Sequence, residues 1–103
     1  MSYARFGADG SDVYVFVSSQ GIECCGCSLQ EREWVDDPSR PAPGGYLKAV
    51  GEIVPDVFDS NSKMIEHLVI HRAKGDTVPE YVFERLSDPE DERRNRELWA
   101  ENA

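Results

Sequence analysis

The sequence predicts a small α+β domain: a β-hairpin packed on a helix in a ββα-like arrangement, with one or two further helices at the C-terminal end. Three observations predict it. Residues 13–17, Val-Tyr-Val-Phe-Val, are β-branched and aromatic throughout, and a turn separates them from a second apolar run that ends among Cys24, Cys25 and Cys27. An amphipathic stretch over residues 60–75 holds the only two histidines, His67 and His71. Two capping-box patterns then follow before the C-terminus.

Taken in order, Val13–Val17 is the first strand, Ser18–Gly21 the turn and Ile22–Cys25 the returning strand, so that a hairpin delivers the cysteines. Trp34 and Val35 form a short third strand. Residues 36–45, with three prolines and two glycines, read as a loop. Tyr46–Val50 and Ile53–Phe58 are strand-like, with Pro55 interrupting the second run and favouring an edge or a break. The best helix starts after Ser60, its N-cap, and stops at Gly75, a C′ residue. Met64, Ile65, Leu68 and His71 share one broad face with His67 beside them, and Lys74 suits the C-terminal end of the helix dipole. A second helix starts near Val78, capped by Thr77 with Glu80, with Tyr81, Val82 and Leu86 on its apolar side. Ser87 with Glu90 opens a third helix over residues 91–103, in which Leu98 and Trp99 are the large apolar residues; the competing reading is a solvated tail. The expected organisation is an α+β domain over residues 1–86, with a long inserted loop around 28–57, and a charged C-terminal helix or tail over 87–103.

The cysteines and histidines carry the chemistry. Cys24 and Cys27 make Cys-x2-Cys, and His67 and His71 make His-x3-His, the two half-sites of a Cys2His2 zinc centre. A tetrahedral zinc ion takes soft thiolates and imidazoles. Two cysteines on a tight turn bite from one side, and two histidines four apart on one helix face close the other. Gly26 lies inside the cysteine turn, where a missing Cβ lets the backbone bend. Cys25 is the alternative ligand to Cys24. Thirty-nine residues separate Cys27 from His67, against about twelve in the common DNA-binding finger, so the intervening chain must loop out or build its own structure. The odd cysteine count argues against a disulfide framework. A redox Cys-x-x-Cys needs a helix starting at the second cysteine, where this chain reads as loop.

Composition narrows the function. In 103 residues, 11 basic groups face 20 acidic ones, giving a net charge of −9. Neither half is positive: residues 1–50 carry 4 basic against 7 acidic groups, and residues 51–103 carry 7 against 13. The electrostatic attraction that supplies most non-specific affinity for nucleic acid is missing. No apolar run approaches the length of a membrane span, and the N-terminal stretch lacks the apolar core of a signal peptide, so a cytoplasmic protein is expected. No phosphate-binding loop and no His-Glu-x-x-His motif occur. Two thiolates and two imidazoles leave zinc no open position, so the expected role of the ion is structural, and no catalytic residue is assigned.

The stretches YARFGADGSDVYVF, IECCGCSL and MIEHLVIHRAKGDTVPEYVFERL resemble small zinc-finger-like proteins encoded by actinobacterial phages, mainly mycobacteriophages. The resemblance spans most of the chain and departs over residues 30–57. It places the cysteine-rich turn of that group on Cys24, Cys25 and Cys27 and its helix on His67 and His71. It implies a phage origin, a metal site and action in the host cytoplasm, with no activity attached. The expected function is therefore a zinc-binding protein-interaction module with a host or phage protein as partner. The alternatives are a nucleic-acid-binding zinc finger and, third, a thiol redox protein.

Overall fold

Alternation along the two long strands builds the hairpin that organises the fold. Strands β2 (Tyr14–Ser18) and β3 (Gly21–Cys25) pair antiparallel, with Val15 opposite Cys24 and Val17 opposite Ile22. The first strand is shifted by one residue from the expected Val13–Val17: Val13 is buried but lies ahead of the ladder, where its N–H and C=O both bond the Ser11 hydroxyl. A short strand β1 (Ser2–Ala4), not foreseen in the sequence, pairs antiparallel with β2, and β6 (Val57–Phe58) pairs antiparallel with β3. The resulting sheet has the order β1-β2-β3-β6. A computed structural model describes residues 2–101 of the chain.

Within the insertion at residues 28–57, the strands expected at Trp34–Val35 and Tyr46–Val50 form and pair with each other as a second sheet. Strands β4 (Arg32–Asp36) and β5 (Gly45–Ala49) pair antiparallel, with Trp34 opposite Leu47. The proline-rich segment between them is the connection, as expected. Gln30 ties both ends of this excursion together. Its amide donates to the carbonyls of Val50 and Glu31, and its Oε1 accepts from the Val54 N–H.

Helix α1 (Asn61–Lys74) has the predicted caps. The Ser60 hydroxyl accepts from the Lys63 N–H, and Gly75 takes a left-handed φ of 115°. The Gly75 N–H donates to the Arg72 carbonyl and the Asp76 N–H to the His71 carbonyl, the paired bonds of a Schellman motif. Met64, His67, Leu68 and His71 are buried along one face.

Helix α2 (Glu80–Leu86) starts later than its capping box predicts. The Thr77 backbone is committed elsewhere: its N–H donates to the Asp12 carboxylate and its carbonyl accepts from the Asp12 N–H. Pro79 is extended at ψ 142° and becomes the N-cap, with no side-chain cap bond. Helix α3 (Pro89–Glu101) also departs from its expected cap: Asp88, not Ser87, accepts from the Glu90 N–H. The last two residues expected in this helix, 102 and 103, lie outside the described residues.

The core is small. Tyr3, Val15 and Ile22 from the sheet meet Met64 and Leu68 from α1, while Val82 and Leu86 of α2 close one side. Helix α3 docks through Trp99, whose indole N–H donates to the Ser18 carbonyl, and through Asn95. The Asn95 amide donates to both Tyr3 Oη and Asn61 Oδ1, and the Asn61 amide donates to the Leu86 carbonyl. This buried polar chain links the first strand to all three helices. Among the described residues no helix is long and apolar enough to cross a membrane.

Candidate metal centre

The hairpin and α1 bring four side chains to one buried point. Cys24, Cys27, His67 and His71 each offer one ligand atom, and those atoms all lie within 4.8 Å of one another. Strand period explains the cysteine choice. Ile22 and Cys24 point to the core, so Cys25 points away and is exposed. Gly26, at a left-handed φ of 60°, then turns the chain so that Cys27 comes back inward. Helix period explains the histidines, which lie one turn apart on the buried face of α1.

The spacing suits tetrahedral coordination. His71 Nε2 lies 3.6 Å from Cys24 Sγ and 3.4 Å from Cys27 Sγ. His67 Nε2 lies 3.4 Å from Cys27 Sγ and 3.1 Å from His71 Nε2. A zinc ion with ordinary bond lengths sets tetrahedron edges of about 3.3 Å between nitrogens and about 3.5 Å between nitrogen and sulfur. Four of the six donor–donor distances are therefore close to the edges of such a tetrahedron.

The surrounding groups fix the orientation of one imidazole. His71 Nδ1 donates to Asp76 Oδ2 at 2.8 Å, and the Ser28 hydroxyl donates to the same oxygen at 2.7 Å. These two hydrogen bonds hold the Asp76 carboxyl below its ordinary range, with the His71 contribution the larger. An ionised carboxylate only accepts, so the proton is on Nδ1 and the Nε2 lone pair faces the sulfurs. The Lys74 ammonium donates to the Ser28 carbonyl at 2.9 Å and closes the cluster on its outer side.

Without a cation the site is electrostatically unfavourable. Burial, and then the neighbouring Cys27 thiol, push the Cys24 thiol up. Burial, and then the His71 imidazole, push His67 down to about 4. Each group is thus driven to its neutral form, and a divalent cation reverses that preference by balancing two thiolates. The sequence singled out all four residues. It did not find Asp76 or Ser28; the position of Asp76 one residue beyond the helix-ending glycine was the available signal. No family model, curated protein or solved structure matches the chain. What defines the protein is thus an α+β fold around a buried Cys2His2 cluster suited to a structural metal ion.

Proposed function

We propose that Cys24, Cys27, His67 and His71 hold a structural zinc ion, and that the chain is a small protein-interaction module. The observation that carries the metal reading is the convergence of four buried donors from two distant segments, all within 4.8 Å of one another and four of their six separations near tetrahedral edge lengths. Zinc bound there would tie the β3 end of the hairpin to α1 and neutralise two thiolates. A core this small gains much of its stability from such a staple. Four protein ligands leave no position for substrate or water, which favours a structural role.

The interaction role rests on the net charge of −9 and on exposed apolar residues in place of a basic surface. The resemblance to phage proteins adds a host or phage protein in the host cytoplasm as the proposed setting. Cobalt(II) substitution tests the site. Strong visible d–d bands with thiolate charge-transfer absorption, displaced by one equivalent of zinc, are the expected result. A weak octahedral spectrum would overturn the assignment.

A further inference from the structure

Beside the metal centre α1 faces the 53–58 segment across an open groove of about 650 Å³. Leu29, Val54, Phe58 and Ile70 supply its apolar walls, and His67 lies in its lining. The volume is that of a ligand-binding cleft. Ile70 is 56 % exposed and its neighbour Val69 is 53 % exposed, so one flank of α1 presents aliphatic surface to solvent.

Two observations say what the groove takes. The first is an unused donor. His67 is only 5 % exposed, and its Nε2 is turned to Cys27 and His71. Nδ1, unlike that of His71, bonds no protein group among the described residues and is not a buried atom, so it is open to the groove. With Nε2 committed to the metal, Nδ1 carries a proton that can donate to an acceptor bound in the groove. The second is charge. Glu66 lines the groove and Asp56 sits close enough to act electrostatically on His67, and neither forms an ion pair among the described residues. The cation on the lining, Lys63, is already held by Asp59 at 2.7 Å. The rim therefore has negative charge left over.

We infer that this groove docks an apolar segment of a partner protein flanked by lysine or arginine, seated with a backbone carbonyl on the His67 Nδ1–H. Aliphatic side chains fill the cleft, the carbonyl accepts from His67 Nδ1 in place of water, and the basic flanks meet Glu66 and Asp56. The His67 contact rests on the zinc reading above, because ligation at Nε2 is what fixes the proton on Nδ1.

The test is selection from a random peptide display library on the zinc-loaded full chain, with zinc content measured on each sample. Peptides with an aliphatic core and basic flanks are expected to be enriched. Ile70→Glu should weaken the selected peptides about tenfold or more, and Glu66→Lys should weaken them too, while Leu47→Glu on the second sheet leaves them unchanged. Both groove positions are exposed, so folding and zinc content should not change. On binding, the His67 Nδ1–H resonance should shift and exchange more slowly with solvent. Selected peptides without this pattern, or equal binding to Ile70→Glu, would overturn the proposal. So would self-association of the chain that Ile70→Glu abolishes, which would make the groove a homodimer face. A folded chain lacking zinc would overturn the metal reading and the His67 contact, whereas zinc-loaded chain without peptide selection would overturn the groove alone.

Discussion

Nδ1 of His71 lies 2.8 Å from Oδ2 of Asp76, and the turn that ends α1 is what puts it there. Gly75 reverses the chain at φ 115°, and the Asp76 N–H bonds the His71 carbonyl. One helix terminus thus sets both the end of the helix and the orientation of a proposed ligand. Asp76→Asn keeps the shape and removes the charge. It is expected to weaken zinc affinity about 10–100-fold, measured by competition with a chromophoric chelator. Unchanged affinity would show that the carboxylate plays no part in holding the imidazole.

The cysteines should separate cleanly. Cys27 Sγ lies 3.4 Å from both imidazole Nε2 atoms, whereas Cys25 is exposed on the opposite face of β3. Cys27→Ser should abolish stoichiometric zinc and cooperative thermal unfolding. Cys25→Ser should keep both and shift stability by no more than about 0.5 kcal/mol. Loss of zinc in Cys25→Ser would move the site to the other cysteine pair.

Acid should destabilise the fold. His67 is pushed down to about 4 from 6.5 by burial and then by His71. Between those values the unfolded chain binds a proton that the folded chain does not. The contribution of the neutral, buried imidazole is therefore complete above about pH 6.5 and is lost as the pH falls towards 4. Proton competition for the thiolates and imidazoles acts with the same sign on metal retention. Thermal melts across this window should show the melting temperature falling together with zinc content. A flat profile would contradict the burial of His67.

The Asn95 amide bridges Tyr3 Oη and Asn61 Oδ1, each at 3.0 Å, inside the molecule. Asn95→Ala leaves both oxygens short of a donor and is expected to cost about 1–3 kcal/mol in urea unfolding, with zinc content unchanged. A neutral result would mean that α3 docks mainly through Trp99.

The hairpin and α1 were legible because their signals are local: β-branched alternation in 13–17, a serine N-cap, a glycine C′ and a buried face at helical spacing. The ligand pairs were legible for the same reason, as each half-site lies within one element. Signals that depend on distant partners were not. Strand β1 is too short for any periodicity and exists through pairing with β2, and of the strand-like run Ile53–Phe58 only Val57–Phe58, beyond Pro55, pairs as β6. The Thr77 capping box failed because Asp12, far away in sequence, takes the Thr77 N–H. Asn95 reads as a surface residue of a charged helix until Tyr3 and Asn61 are placed beside it. Strand alternation from Ile22 puts Cys24 inward and Cys25 outward, a local signal that separates the two cysteines.

The most direct test is the metal content of the purified native chain, with a thermal melt of the same sample before and after chelation. One zinc per chain, and loss of the cooperative transition once it is removed, is the predicted result. A metal-free chain with an unchanged melt would contradict the Cys24–Cys27–His67–His71 centre and leave the four residues as ordinary buried side chains.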